Sequence, residues 1–303
     1  MKHYIIRLFF ILITSIFLVN FSHGAETIAQ LLEKAEKGDA NAQYDLGLHY
    51  DYGDEVAEDK AEAVKWYRRA AEQGHDKAQY NLGISYDIGE GVAEDKVEAA
   101  KWFRLAADQD NPKAQFNLAV AYDLGEGVAE DNAESAKWYR LAAEQGYAKA
   151  QFNLGVAYDK GQGVTEDKEE AAKWYRLAAD QGLAKAQFNL AVAYDLGEGV
   201  IEDKAESAKW YRLAAEQGNV SAQFNLGVAY DDGEGVIKDK VEATKWYRLA
   251  AEQGHAKAQF NLGYNYYHGE GVKKNRLEAI KWLKLAAEQG DGRARKMLNA
   301  LGE

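Results

Sequence analysis

Two serines in this chain each lie near a lysine, a pair of residue types that can form a nucleophile and its base. A serine acyl-enzyme of this kind needs the spacing Ser-x-x-Lys on one helical turn. Ser135 and Ser207 instead precede Lys137 and Lys209 by two residues. Because the required spacing is absent, we interpret both serines as surface residues of a helix and predict no catalytic residue.

Histidines and an acidic loop are the candidates for a metal site. His75 and His255 occupy the same turn in two widely separated repeats, so they lie too far apart to share an ion. The loop 123–131 carries carboxylates that suit calcium, but it lacks the alternating Asp or Asn ligands and the final bidentate Glu of an EF-hand. Its glycines are explained by turn geometry. We therefore predict no metal site and no other cofactor.

The elements that position these side chains follow from a strict period of 36 residues. The seven tryptophans recur at this spacing, at Trp66, Trp102, Trp138, Trp174, Trp210, Trp246 and Trp282. We place the repeats at 39–74, 75–110, 111–146, 147–182, 183–218, 219–254 and 255–290. The segments 25–38 and 291–303 are assigned as capping helices at the two ends. A fixed period of this length is the signature of a repeat architecture.

Each repeat contains two stretches with helical periodicity. In the second stretch of repeat two, Ala99, Trp102 and Phe103 share one face at helical spacing. Asp95 is placed to cap the N-terminus of that helix, and Glu98 is placed to complete a capping box. A glycine ends the corresponding helix in most of the repeats, as expected where the chain must turn left-handed.

Short connections between these helices force neighbouring helices to run antiparallel, and pairs that are apolar on both sides must stack. We therefore predict an all-α fold, an α-solenoid in which antiparallel helix pairs form a right-handed superhelix. The tryptophan, aromatic and alanine positions are its expected core.

The first residues predict export. Lys2 and Arg7 precede an uncharged apolar run, 8–19, that is too short to span a bilayer comfortably. Small residues follow at the positions that a signal peptidase recognises, so we predict a signal peptide, 1–24, cleaved after Gly24. An uncleaved membrane anchor is the alternative. We expect a periplasmic or secreted protein without stable membrane insertion after cleavage.

Charge argues against nucleic acid as a partner. The formal charge of −12 becomes −14 when Lys2 and Arg7 leave with the signal peptide, and such a chain repels phosphate backbones and anionic lipid surfaces. The chain contains no cysteine, which excludes a lipid-anchored N-terminus, a disulfide framework and a thiolate metal site. Stability must therefore come from packing.

The repeat has a recognisable sequence, seen clearly at 150–182. It reads Ala-Gln-Phe-Asn-Leu-Gly-Val-Ala-Tyr-Asp, then Gly-x-Gly-Val, then Ala-Lys-Trp-Tyr-Arg-Leu-Ala-Ala. This pattern resembles the Sel1-like repeat, a relative of the tetratricopeptide repeat, and covers nearly all of the mature chain. Where that family often has proline after Gly-x-Gly-Val, this chain has Ala57, Ala93, Ala129, Thr165, Ile201, Ile237 and Lys273. The departure loosens the loop and leaves the fold assignment intact.

An asparagine recurs on the first helix, on the side away from the apolar arc. The positions are Asn81, Asn117, Asn153, Asn189, Asn225 and Asn261. By analogy with related repeats, this side lines the concave groove of the superhelix. A ladder of side-chain amides offers donors and acceptors to an extended peptide backbone. A hydrogen bond between repeats is the alternative role, and the sequence leaves both open.

Departures from the repeat concentrate in the first and last units. His49 and Tyr52 distinguish the first unit, and Tyr264, Tyr267 and His268 distinguish the last. The middle repeats hardly vary, which is typical of recently copied units that have had little opportunity to diverge. We therefore predict partner-binding residues at the two ends as well as along the asparagine ladder.

The resemblance implies adaptor work, since Sel1-like proteins serve signalling, envelope assembly, secretion and host contact in bacteria. We predict a non-enzymatic, monomeric scaffold that binds a protein or an extended peptide in the concave groove. One alternative is a structural or polysaccharide-associated envelope component, which the regular middle repeats favour. Another is an enzyme of the β-lactam-hydrolase kind. The relatives associated with β-lactams are rich in cysteine pairs, and this chain has none.

Overall fold

The computed structural model describes residues 27–303, and the predicted signal peptide lies outside them. The described chain divides into two compact units, an N-terminal unit of residues 27–114 and a C-terminal unit of residues 115–303. Sixteen helices and no strand occur within these residues. Consecutive helices pack against one another in each unit. The predicted fold class, an α-solenoid of antiparallel helix pairs, is confirmed.

The helices have nearly uniform length. In chain order they are α1 (Ile28–Glu36), α2 (Ala40–Tyr52), α3 (Lys60–Glu72), α4 (Asp76–Ile88), α5 (Lys96–Ala107), α6 (Pro112–Leu124), α7 (Asn132–Glu144), α8 (Ala148–Lys160), α9 (Lys168–Asp180), α10 (Ala184–Leu196), α11 (Lys204–Glu216), α12 (Val220–Asp232), α13 (Lys240–Glu252), α14 (Ala256–His268), α15 (Arg276–Glu288) and α16 (Gly292–Leu301). The even-numbered helices α2 to α14 are the first helices of the seven repeats. The odd-numbered helices α3 to α15 are the second helices.

Six of the seven second helices begin at an aspartate cap and α15 begins at Asn275, but the predicted capping box is wrong in its second half. In α5, the Asp95 side chain accepts from the backbone N–H groups of Val97 and Glu98, as expected. The Asp95 N–H is already donated to the carbonyl oxygen of Tyr86 at 2.9 Å, so it cannot also bond the Glu98 side chain. That carboxylate instead lies 2.5 Å from Lys101 Nζ. The backbone bond holds the start of each second helix to the end of the first.

The core consists of small and aromatic residues at the predicted positions. One cluster of the C-terminal unit includes the buried residues Leu190, Trp210, Tyr211, Ala214 and Leu226. Among the tryptophans, Trp66, Trp138, Trp210 and Trp282 are buried, whereas Trp102, Trp174 and Trp246 are half-buried. The expected tryptophan core is thus complete in alternate repeats only.

The interpretation of Ser135 and Ser207 as surface residues is wrong, because each is only 2% exposed. The equivalent residues Ala171 and Ala243 are buried as well. The two helices of a repeat approach closely here, since a Cβ added to Gly155 would lie 3.3 Å from the carbonyl oxygen of Ala171. The burial of the serine position comes from this tertiary contact, which helical spacing does not reveal.

A buried glutamine joins three helices at each repeat. In α8, Gln151 is 4% exposed, and its Nε2 donates to the carbonyl oxygen of Ala143 at 3.1 Å. Gln181, the C-cap residue of α9, donates from Nε2 to Gln151 Oε1 at 2.8 Å. Gln151 therefore links α7, α8 and α9. The same Gln-to-Gln bond is present in the other repeats of both units.

Two glycines with left-handed backbone occupy very different surroundings. Gly199, in the loop after α10, has φ +69°, and a Cβ there would lie 1.9 Å from the carbonyl oxygen of Lys168. Gly218, which follows α11, has φ +87°, but a Cβ there would meet nothing within 4 Å. The loop of one repeat is therefore seated against the start of the preceding second helix with no space for a side chain.

We expect Gly199→Ala to destabilise the protein more than Gly218→Ala does. The left-handed conformation costs an alanine about 1–2 kcal/mol in either variant. The steric overlap with Lys168 adds roughly 1–3 kcal/mol for Gly199→Ala alone. Urea denaturation of both full-length variants, followed by far-ultraviolet circular dichroism, measures the difference. Equal losses of unfolding free energy would show that the loop is not closely seated.

Candidate functional site

The predicted asparagine ladder lies beside a row of small pockets between successive repeats. We call the surface formed by the asparagine of each first helix, with the residues three and four positions later, the ladder face. On α10 it comprises Asn189, Val192 and Ala193, which border a pocket of about 140 Å³. The pocket is also lined by Asp159, Lys168, Tyr175 and Glu198. Equivalent pockets of about 100 Å³ lie between α7 and α8 and between α11 and α12.

Most asparagines of the ladder contact a tyrosine of the preceding repeat. The asparagine side chain lowers the pKa of the neighbouring tyrosine hydroxyl in five such pairs, Asn81 with Tyr67, Asn153 with Tyr139, Asn189 with Tyr175, Asn225 with Tyr211 and Asn261 with Tyr247. The hydroxyl of Tyr175 makes no bond of good geometry among residues 27–303. Asn117 is half-buried at the equivalent position of α6. The ladder asparagines therefore lie next to buried tyrosines of the preceding repeat, and Asn153, Asn189 and Asn225 also line the pockets.

The tyrosines of these pairs are buried, and burial shifts their ionisation. Removal from water raises the pKa of Tyr139 and of Tyr211 to about 12, against 10.0 for an exposed tyrosine. A carboxylate nearby acts in the same direction, and the hydrogen bond from the asparagine opposes it. The pKa values of Tyr67, Tyr175 and Tyr247 are raised as well, with burial the largest cause. These hydroxyls stay neutral at physiological pH.

An aspartate and a lysine that were not predicted as site residues also line the pockets. Lys168 Nζ lies 2.8 Å from Asp159 Oδ1, and Lys204 Nζ lies 2.9 Å from Asp195 Oδ1. In the N-terminal unit, Lys60 Nζ lies 2.9 Å from Asp51 Oδ1. Aspartate and lysine recur nine residues apart across the loop of most repeats. This spacing was visible in the sequence, but only the fold brings the two residues together.

The residues predicted in the first repeat border a large open space beside α2. His49 and Tyr52 border a space of about 570 Å³, together with Leu31, Asp45, Leu48 and Asp54. His49 Nδ1 lies 2.9 Å from the carbonyl oxygen of Asp54. Tyr52 is 73% exposed and is free to contact a partner. We call this group the N-terminal cluster.

The last-unit residues form an aromatic cluster on α14. The rings of Tyr264 and His268 lie 4.2 Å apart between centroids, and those of Tyr267 and His268 lie 4.9 Å apart at right angles. Lys274 Nζ lies 5.4 Å from the Tyr267 ring. Tyr264 is 38% exposed. The fold therefore brings together all three residues predicted there, and we call them the C-terminal cluster.

Across residues 27–303, no group of three His, Cys, Asp or Glu side chains is arranged to hold a metal ion. The helices of this part of the chain are all too short or too polar to cross a bilayer.

The repeats match a known family. The family model described as Sel1 repeat matches seven segments, 40–75, 76–111, 112–147, 148–183, 184–219, 220–255 and 256–291. Each segment begins one residue later than the corresponding repeat set out from the tryptophan spacing. The resemblance to Sel1-like repeats is confirmed.

Two solved structures and one curated protein are similar to this chain. A protective antigen of uropathogenic Escherichia coli with an SLR fold is 42% identical, with a TM-score of 0.87 over 91% of this chain and 59% of the antigen. A Sel1 repeat protein from Oxalobacter formigenes is 37% identical, with a TM-score of 0.71 over 90% and 79%. The secretory immunoglobulin A-binding protein EsiB of Escherichia coli is 45% identical over 47 residues. Those residues are 16% of this chain and 10% of EsiB, and the chain covers less than two thirds of the antigen.

We expect the stability of the fold to fall in alkaline solution. A tyrosine whose pKa is raised by folding is more easily ionised in the unfolded chain than in the folded protein. Its contribution to the free energy of unfolding is therefore complete below pH 10 and is lost as the pH rises towards about 12. For Tyr139 and Tyr211 this loss is on the order of 2 kcal/mol each. Urea unfolding at a series of pH values measures it. The matched variant Tyr139→Phe with Tyr211→Phe should lose less stability over the same range, and an unchanged pH dependence would contradict the assignment.

Proposed function

Because the chain belongs to the Sel1 repeat family, whose helical repeats generally serve as protein-interaction scaffolds, we propose that it holds a protein or an extended peptide on its ladder face. We assign this face as the concave side. The observation that supports the proposal is the row of open pockets, one between each pair of successive repeats described in the C-terminal unit from α7 to α12. A partner in extended conformation can place one side chain in each pocket.

The chemistry of the ladder face suits a peptide backbone. A side-chain amide offers two donors and a carbonyl acceptor, and the contact with tyrosine uses only part of that capacity. Val156 and Val192 add apolar surface next to Asn153 and Asn189. Main-chain hydrogen bonds give affinity for any extended peptide, whereas specificity needs side chains that differ between repeats.

The two terminal clusters supply that difference. Tyr52, Tyr264 and Tyr267 are partly exposed tyrosines at positions where the middle repeats carry other residues. Tyrosine provides large contact area at low cost in conformational entropy, which makes it frequent in protein interfaces. The proposal is therefore that the clusters select the partner and that the ladder holds it.

The proposal includes export and a role without catalysis. The charged start and the apolar run 8–19 support a signal peptide, and we place the mature protein in the periplasm or outside the cell. We assign no catalytic residue to the ladder face, and we expect the protein to act as a monomer.

Site-specific crosslinking tests the proposal. With a photoreactive phenylalanine analogue at Tyr52 or Tyr267, illumination of the native cells should attach the same protein to both positions. The double variant Tyr267→Ala with His268→Ala should reduce that adduct when the probe is at Tyr52, because an aromatic anchor in an interface contributes about 2 kcal/mol or more.

The matched control carries the probe at Leu177, which is 46% exposed on the second helix α9. Adducts from Leu177 with the same protein, or adducts unaffected by the double variant, would overturn the assignment of the terminal clusters. Retention of a cell-wall polymer by the purified protein, with no protein adduct at either cluster, would favour a polysaccharide-associated envelope component instead.

Secretory immunoglobulin A is a defined first candidate for a purified partner, because EsiB carries that binding in its name and shares a 47-residue segment with this chain. Surface plasmon resonance against the immobilised full chain measures this directly. Binding that is lost in the double variant would identify the partner class, and no binding would direct the search to the crosslinked protein.

A further inference from the structure

The C-terminal unit contains two pockets that differ at only two lining positions. The pocket between repeats three and four and the pocket between repeats five and six each have a volume of about 100 Å³. Both are lined by equivalent aspartate, serine, tyrosine, asparagine, valine and alanine residues. The first has Asn132 and Gln162 where the second has Lys204 and Glu234. The pocket between repeats five and six can therefore be compared directly with the pocket between repeats three and four, and we call it the reference copy.

In the reference copy, an ammonium group occupies the polar end of the pocket. Lys204 Nζ lies 2.9 Å from Asp195 Oδ1, 2.6 Å from the Asp195 carbonyl oxygen and 3.4 Å from Glu202. The same arrangement recurs at Lys168, and at Lys240 the ammonium reaches Glu270 of the following repeat at 3.1 Å. Wherever lysine is present in these pockets, the aspartate is neutralised from within the chain.

The pocket between repeats three and four keeps the aspartate and loses the cation. Within residues 27–303, no cation pairs with the Asp123 carboxylate and no donor bonds it. Asp123 is exposed, whereas its counterparts Asp159 and Asp195 are half-buried beneath their lysines. Gln162 also takes the place of the carboxylate that Glu234 contributes to the lining of the reference pocket. Among the residues that line this pocket, Asp123 is the one that carries a charge.

The remaining lining groups can accept further hydrogen bonds from a cation. The Asp123 carboxylate acts electrostatically on the Tyr139 hydroxyl, which also interacts with the side chains of Ser135 and Asn153. An ammonium group has three donors and no acceptor, so it is satisfied by one carboxylate with hydroxyl and amide oxygens nearby. A divalent metal would need more carboxylates than this pocket offers.

We propose that the pocket between repeats three and four binds the ammonium group of a lysine side chain of the partner, in the place that Lys204 Nζ takes in the reference copy. This inference rests on the proposed scaffold function and adds a chemical requirement to it, namely a lysine in the segment held on the ladder face. The pocket opens on that face, since Asn153 and Val156 line both. The partner's lysine completes an ion pair that the chain supplies for itself in the neighbouring pockets.

Binding of n-butylammonium chloride to the full-length protein tests this inference without knowledge of the partner. In an NMR titration, the resonances of Asn153 and Gln162 should shift and saturate with added n-butylammonium. The same concentrations of n-butanol and of sodium chloride serve as controls for the alkyl chain and for ionic strength, and neither should reproduce the shifts.

Two matched variants test the inference, one by blocking the site and one by creating a second site. Asn132→Lys supplies the internal ammonium, so the affinity at this pocket should fall by about tenfold or more. Lys204→Asn with Glu234→Gln converts the reference pocket into a second site, so new shifts should arise at Asn225. Both variants alter partly exposed residues, and circular dichroism verifies that each remains folded. Saturable shifts that persist in Asn132→Lys, or their absence in the unaltered protein, would overturn the inference.

The outcome separates this inference from the proposed function. A partner crosslinked at the terminal clusters without n-butylammonium binding would leave the scaffold role standing and remove the lysine requirement. Binding of n-butylammonium with no crosslinked partner would show an ammonium site on a protein whose scaffold role is wrong. A crosslinked partner whose contact segment contains a lysine, and whose capture falls in Asn132→Lys, would support both.

Discussion

The buried glutamine of each first helix is the contact on which the rest of the structure depends. Gln151 donates to the carbonyl oxygen of Ala143 near the end of α7, which also accepts from the backbone N–H of Gly146 at 2.9 Å, and Gln151 accepts from Gln181 at the end of α9. A buried amide without these partners would cost about 1–3 kcal/mol. Because the bond joins three helices, it sets the register of each repeat against its neighbour.

That register places the residues of the pockets. Because the ends of the helices are held, the aspartate at the end of a first helix lies next to the lysine at the start of the following second helix. Asp159 and Lys168 form such an ion pair. The asparagine of the next first helix meets a buried tyrosine, as Asn189 meets Tyr175. The residues that recur in these contacts therefore have structural roles. Recognition of a particular partner has to come from residues that vary between repeats.

The variable residues fall into two kinds. In the first and last repeats the variable residues include exposed tyrosines, Tyr52 and Tyr264. In the middle, the substitutions at Asn132 and Gln162 remove charges and leave Asp123 without a cation. By contrast, Asn265 and Thr244 also depart from the repeat, but Asn265 Nδ2 donates to Thr244 Oγ1 at 2.8 Å inside the core. A departure from the repeat is thus a candidate for recognition only where its polar atoms are left free.

The sequence by itself determined the fold class, the repeat length and the helix caps, because helical periodicity, glycine stops and aspartate caps act within a few residues of one another. It also pointed to the C-terminal cluster, whose members lie on one helix. Only the tertiary structure decided that Ser135 and Ser207 are buried, that the Asp95 N–H is already taken, and that Asp123 lacks the lysine its counterparts have. Those outcomes depend on how closely neighbouring helices approach and which charges meet across a loop, and such distances are set by packing between helices.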